Sequence, residues 1–312
     1  MRSETTTLTS PQDGLPLFVR TWLPDGEAKG AVQLAHGMAE HSGRYERLAR
    51  ALTDAGYVAW MHDHRGHGET STETADRGYF ADDHGWDTAV EDMHTVLEAL
   101  REAHPGLPVF FLGHSMGSLL GRDFITRYGQ DLAGAVLSGT AADPGLLGKV
   151  GQALATVEGR VRGRRATSRL MNAMTFGSYN KAFKPVATDF DWLSRDADEV
   201  RKYVDDPRCG EVFTAGFFAD LLGGVNRLGE LAARVPSDLP LLVISGEDDP
   251  VGGKAAAGVR AAAEAFREGG VQDVTLKIFP QARHELFNET NRDEVTGLVI
   301  GWLDDHLPTK GA

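Results

Sequence analysis

The chain has almost no sulfur chemistry to offer. Its 312 residues hold one cysteine, Cys209, which excludes an internal disulfide and suits a reducing cytosol. No motif surrounds Cys209 that would mark it as a nucleophile. No run approaches the ~20 apolar residues of a membrane-spanning helix. The opening Met1-Arg2-Ser3-Glu4-Thr5-Thr6-Thr7 lacks the apolar core of a signal peptide. A cytoplasmic protein is the expectation. Positive charge is short as well: a net charge of −13 argues against nucleic acid as the main partner. Internal repeats, low-complexity tracts and flexible linkers are also missing. What remains is ordinary for a globular protein, 41% hydrophobic and 25% charged, and long enough for one large domain with an insertion.

Against that background, Gly113-His114-Ser115-Met116-Gly117 stands out. It fits Gly-x-Ser-x-Gly, preceded by a strand-like Leu107–Leu112 and followed by a helix-like Ser118–Phe124, the context of a nucleophile elbow. A serine on so sharp a turn has strained backbone angles, and glycines on both sides remove side chains that would collide. The turn projects Ser115 at a helix N-terminus, whose dipole favours developing negative charge. A serine needs a base and the base an orienting acid, in the chain order Ser, Asp or Glu, His. The strand signal Pro240–Ser245 ends in Gly246-Glu247-Asp248-Asp249-Pro250, and the strand signal Val274–Phe279 ends in Pro280-Gln281-Ala282-Arg283-His284-Glu285. Each candidate sits just past a strand, where α/β sheets gather functional groups.

Strand and helix signals alternate. Strands are expected near Thr5–Thr9, Leu17–Leu23, Ala31–His36, Tyr57–His62, Leu107–Leu112, Leu132–Leu137, Leu241–Ser245 and Val274–Phe279. Helices are expected near Arg44–Ala55, Trp86–Ala103, Lys254–Arg267 and Asp293–His306. The histidines of His62-Asp63-His64-Arg65-Gly66-His67 raise zinc as a possibility, but no second ligand cluster accompanies them. No metal is expected, and Asp63 and Arg65 are read as hydrogen-bonding residues that hold the loop.

The chain resembles α/β-hydrolases of the monoacylglycerol lipase and lysophospholipase-like group, among the serine aminopeptidase S33-type hydrolases. The resemblance covers nearly the whole chain. It rests on His36-Gly37-Met38-Ala39-Glu40-His41-Ser42-Gly43-Arg44-Tyr45, Asp63–Gly68, the elbow, and Arg283-His284-Glu285. It implies a mostly parallel eight-stranded sheet flanked by helices, with a helical cap inserted at residues 141–235 between core segments 1–140 and 236–312. It implies Ser115 as nucleophile, His284 as general base and acid, and Asp249 as orienting carboxylate. The family spacing Gly-x-x-Asp, met by Gly246 and Asp249, prefers Asp249 over Asp248. It implies backbone N–H donors at Met38 and Met116 for an oxyanion.

The implied activity is hydrolysis of monoacylglycerol, lysophospholipid or similar medium-chain esters through an acyl-enzyme, with no cofactor. The alternatives are an aminopeptidase or amidase, whose amine anchor the acid-rich Asp189–Glu199 would supply, and a non-catalytic ligand-binding homologue. Within the insertion, Leu146, Leu147, Val150, Ala153, Leu154 and Val157 recur at helical spacing, as do Phe213, Phe217, Phe218, Leu221 and Leu222. Either stripe reads as cap packing. Met171, Met174 and Phe176 are the candidate lining of an acyl pocket. Arg160, Arg162, Arg164, Arg165 and Arg169 form a basic cluster. It reads as solvated surface or as a transient contact with an anionic lipid surface through the cap.

Overall fold

Each central strand is buried along its whole length and largely apolar, because both faces of the sheet are covered. The structure, a computed structural model, describes residues 1–73, 76–142 and 144–308. Its strands are β1 (Arg2–Thr9), β2 (Pro16–Leu23), β3 (Gly30–Ala35), β4 (Tyr57–His62), β5 (Val109–His114), β6 (Gly134–Ser138), β7 (Leu241–Gly246) and β8 (Val274–Phe279). They form one eight-stranded sheet in the order β1-β2-β4-β3-β5-β6-β7-β8. The pairs β1–β2 and β2–β4 are antiparallel and the rest parallel. The fold class implied by the resemblance is the one observed.

Alternation divides the core. Ala31, Phe111, Leu241 and Val243 point to one face, whereas Val32, Phe110, Leu242 and Ile244 point to the other. The helices are α1 (Glu46–Asp54), α2 (Gly85–Ala103), α3 (Met116–Tyr128), α4 (Gly145–Arg162), α5 (Arg169–Phe176), α6 (Ala197–Asp205), α7 (Ala215–Val225), α8 (Leu228–Leu231), α9 (Ala257–Glu268) and α10 (Arg292–Asp305). Helices α2, α3 and α9 bury Met93, Leu97, Phe124 and Phe266 on the first face. Helices α1 and α10 bury Leu48, Leu52, Val299 and Trp302 on the second. Each such side chain contributes about 1.5–3 kcal/mol of burial.

The interval between β6 and β7 carries α4 to α8. Phe213, Phe217 and Phe218 are buried in the first core, with α7 packed on α2 and α4. The other stripe behaves differently. Helix α4 turns a face of small residues, Gly148, Gly151, Ala155 and Gly159, inward. It leaves Leu146, Leu147, Val157 and Val161 in solvent, Leu147 at 82% exposure. The cap-packing reading of the Leu146–Val157 stripe therefore gives way. The small face permits close approach to α7, and the large apolar residues lie on the side away from it.

The His62–Gly68 loop is held by its own acid and base. The Asp63 carboxylate accepts the N–H groups of Ser42 at 2.7 Å and Glu69 at 2.8 Å. Arg65, fully buried, donates to Asp92 at 2.7 Å, Asp13 at 2.9 Å and the Phe80 carbonyl at 2.7 Å.

Candidate active site

Strand β5 delivers Ser115 into a turn with φ 51° and ψ −117°, and α3 starts at the next residue. The two elbow glycines are steric necessities. A Cβ on Gly113 would lie 2.4 Å from the Gly117 carbonyl oxygen, and one on Gly117 would lie 2.3 Å from the Ala35 carbonyl oxygen. The Ser115 N–H donates to the Ser138 carbonyl at 2.9 Å, which ties the strained residue to β6. Met116, as the first residue of α3, has an N–H without an intrahelical partner.

The loop after β3 lies against this turn. A Cβ on Gly37 would come within 3.2 Å of Ser115 Cβ. Its N–H donates to Glu40 Oε1 at 2.6 Å, and Ala39 has φ 60°. Met38 sits between them, packed against the core, and lines one cavity with Ser115.

The loops after β7 and β8 bring two further residues together. Asp249 is buried and accepts His284 Nδ1–H on Oδ2 at 2.8 Å. The same carboxylate accepts the Val251 N–H on Oδ1 at 2.8 Å and the Ser245 hydroxyl on Oδ2 at 3.3 Å. Asp248 is exposed. Burial pulls the His284 pKa down, but the Asp249 charge and hydrogen bond outweigh it, and the imidazole is raised above 6.5. Its neighbour His114, 4.7 Å away between ring centroids, is pushed to about 4 by burial and by His284. His114 is therefore neutral wherever His284 titrates.

Ser115, His284, Met38 and His114 line one cavity of about 20 Å³. Phe176 and Tyr203 lie on its wall and also on that of a groove of about 520 Å³. Of the three residues expected to line an acyl pocket, Phe176 alone is on these walls. Helix α5 turns Met171 into the core, at 1% exposure, and Met174 to solvent, at 51%. A three-residue step on a short helix separates inside from outside.

Five residues at the site were not singled out from the sequence: Glu40, Arg44, Glu285, Trp192 and Tyr203. Glu40 accepts Arg44 Nη1–H at 2.6 Å and the Tyr45 hydroxyl at 2.8 Å. Arg44 then donates end-on, from Nη1 and Nη2, to the two Glu285 carboxylate oxygens at 2.6 and 2.8 Å. Burial raises the Glu40 pKa, but Arg44 and the nearby imidazoles overcome it and hold the group at about 2. Trp192 and Tyr203 also reach the cavity from the β6–β7 interval. Glu40, Arg44 and Glu285 stood inside the quoted motifs, but the pairing of Arg44 with Glu285 spans 241 residues and had no local signal.

The chain is similar to known hydrolases over nearly its whole length. The family described as serine aminopeptidase, S33, matches residues 26–291. The chain is 33% identical over 300 residues to a monoacylglycerol lipase of Mycolicibacterium smegmatis, covering 94% of this chain and 95% of that protein. It is 31% identical over 304 residues to human monoglyceride lipase, covering 96% and 90%. A solved thermostable carboxyl esterase from Bacillus coagulans, in complex with glycerol, superposes with a TM-score of 0.91 at 27% identity, covering 99% and 100%. The chain belongs to the serine aminopeptidase S33 family, in the monoacylglycerol lipase-like group of α/β-hydrolases, and is an ester-hydrolysing enzyme.

Proposed function

We propose that the enzyme hydrolyses monoacylglycerols, lysophospholipids or similar medium-chain esters through an acyl-enzyme on Ser115. His284 takes the Ser115 Oγ proton as the hydroxyl oxygen attacks the ester carbonyl. The N–H groups of Met38 and Met116 receive the developing oxyanion, each worth about 3–4 kcal/mol of barrier in comparable sites. The imidazolium returns its proton to the leaving alcohol. His284 next deprotonates a water, which attacks the acyl carbon and releases the acid. Asp249 holds the ring in the tautomer with Nε2 unprotonated and stabilises the cation.

The observation that carries this reading is the 2.8 Å His284–Asp249 hydrogen bond beside an elbow serine in one cavity. The groove of about 520 Å³ that adjoins it is within the range of small-ligand sites, which supports a substrate of medium size. The amine-anchor alternative is less well supported. Asp191, Asp196 and Glu199 are committed to Thr188, Arg292 and Arg47 respectively. Asp189 is exposed on the outer groove.

Residues 141–235 are read as the cap over this site. Among the described residues no helix is long and apolar enough to cross a membrane. A transient lipid contact is read instead from the exposed leucines and valines of α4. The arginines are a poorer basis for it. Arg162 pairs with Glu158, Arg164 with Asp220 at 2.8 Å and Arg165 with Asp76 at 3.0 Å. A cytoplasmic location accords with the single, half-buried Cys209.

The test is Ser115→Ala. Turnover of a p-nitrophenyl ester and labelling by a fluorophosphonate should both disappear while the protein stays folded. Labelling that persists at another serine overturns the mechanism.

A further inference from the structure

The stretch Trp192-Leu193-Ser194-Arg195 enters from the β6–β7 interval, some 90 residues before His284, yet it forms the bed on which the His284 loop lies. The two segments are joined along their length. The His284 N–H donates to the Trp192 carbonyl at 3.4 Å and the Glu285 N–H to the Leu193 carbonyl at 2.7 Å. The Ser194 hydroxyl donates to the Asn288 carbonyl at 2.8 Å, and Arg283 Nη1 to the Ser194 carbonyl at 3.0 Å. Glu289, fully buried, accepts from both sides: the Arg195 N–H at 3.0 Å and Nε–H at 2.8 Å, and the Arg283 N–H at 2.9 Å. Main-chain groups that β8 no longer pairs are thus satisfied by the insertion.

The Trp192 side chain completes the arrangement. It is 4% exposed, and its ring lies 5.0 Å from the His284 ring at an interplanar angle of 39°. His114 packs on His284 at 4.7 Å and 49°. Gly139 closes the slot, since a Cβ there would be 3.1 Å from His284 Cε1. The χ2 torsion of histidine is intrinsically broad, so the Asp249 bond and these walls must fix the ring. Buried tryptophans ordinarily find a partner for their indole N–H. Among the described residues, none pairs with Trp192 Nε1. The ring does contact the imidazole of His284. That imidazole becomes a cation when it accepts the Ser115 proton, and an indole face attracts cations.

We propose that the Trp192–Arg195 stretch is a positioning element of the catalytic machinery, with the Trp192 ring as the positioning residue for His284. The inference rests on the reading of His284 as the general base. It makes the insertion necessary for the chemical step itself, beyond any part in covering the substrate.

The experiment uses the full chain and p-nitrophenyl acetate, an ester too small to need the outer groove. Trp192→Ala should lower kcat at least about tenfold, because small misplacements of a reacting group are costly, with KM within about twofold. Trp192→Phe, which keeps an aromatic face, should recover most of the loss. The low-field proton resonance of His284 Nδ1–H should persist in wild type and Trp192→Phe and broaden or vanish in Trp192→Ala. Should Trp192→Ala fail to fold, Trp192→Leu fills the space without a π face and is read the same way. A kcat within about threefold of wild type, or a loss confined to KM, overturns the proposal. Ser115→Ala and Asp249→Asn run alongside. If either keeps more than about a tenth of wild-type kcat, the triad reading is what fails. If both are dead while the Trp192 variant has wild-type kcat, only the positioning role fails.

Discussion

Replacing Asp249 by Asn should be far more damaging than its near-isosteric size suggests, because the surroundings dictate how the amide points. The Val251 N–H donates to Asp249 Oδ1 at 2.8 Å, so the amide oxygen of Asp249→Asn takes that place. The amide NH₂ then faces His284 Nδ1, where the carboxylate accepted a hydrogen bond at 2.8 Å. To meet a donor, Nδ1 must give up its proton and Nε2 must carry one. A protonated Nε2 cannot take the Ser115 proton. The variant also loses the charge that stabilises the imidazolium, about 4 kcal/mol for unit charges ~4 Å apart at an effective dielectric near 20. Together these predict a loss of kcat of roughly 10³–10⁴-fold, in line with the same change in other Ser-His-Asp enzymes. Asp248→Asn should stay within about twofold, since its carboxyl is exposed. Steady-state kinetics on p-nitrophenyl butyrate, with circular dichroism to confirm folding, decide the matter. A larger loss for Asp248→Asn, or more than a tenth of wild-type kcat left in Asp249→Asn, refutes the reasoning.

The pH dependence follows from the His284 imidazole, held above 6.5 by Asp249 despite burial. The neutral ring is the active form, so kcat/KM should rise with pH through one ionisation with a midpoint above 6.5; a profile flat from pH 5 to 8 in the folded enzyme would count against a histidine base. Leu146 and Leu147, exposed at 77% and 82%, should each lose about 1.5–3 kcal/mol of lipid contact when changed to Ser. Vesicle co-sedimentation of Leu146→Ser, Leu147→Ser should fall at least about tenfold while butyrate hydrolysis stays within about twofold, and unchanged sedimentation rejects the membrane contact.

The parts legible in the sequence were those whose physics is local. The elbow could be read because strand, glycine, serine, glycine and helix lie within a dozen residues and each has a steric reason. The central strands of the sheet could be placed because burial on both faces makes each a largely apolar run. The choice of Asp249 over Asp248 was less accessible. Neighbouring acids on one turn look alike until the fold buries one and exposes the other, and only family spacing distinguished them. The α4 stripe was misread for a related reason. Apolar periodicity marks a face but not what covers it. Here the glycines of Gly148, Gly151 and Gly159, invisible to a hydrophobic pattern, make the packing surface. Met171 and Met174 differ by most of a turn on α5, and composition gave no phase for that turn.

The pairing of Arg44 with Glu285 and of Trp192 with His284 had no sequence signal, and both serve the same electrostatic end. Around Ser115 the fold buries Glu40, Glu285 and Asp249 against one arginine, so the resting site carries an excess of negative charge. Burying charge is costly, and removing one partner of a buried pair typically costs about 3–5 kcal/mol. The arrangement makes chemical sense if a further cation is due. His114 is held neutral at a pKa of about 4, so it does not supply one. His284, raised by the same carboxylates, does so when it accepts the serine proton. The new imidazolium is balanced by the new oxyanion, so the net charge of the site is unchanged, and the carboxylates act locally by favouring the cation on His284. Arg44 bonds at once to the Glu40 of the Met38 loop and the Glu285 of the His284 loop, so under the proposed mechanism it ties the loop of one oxyanion donor to the loop of the base.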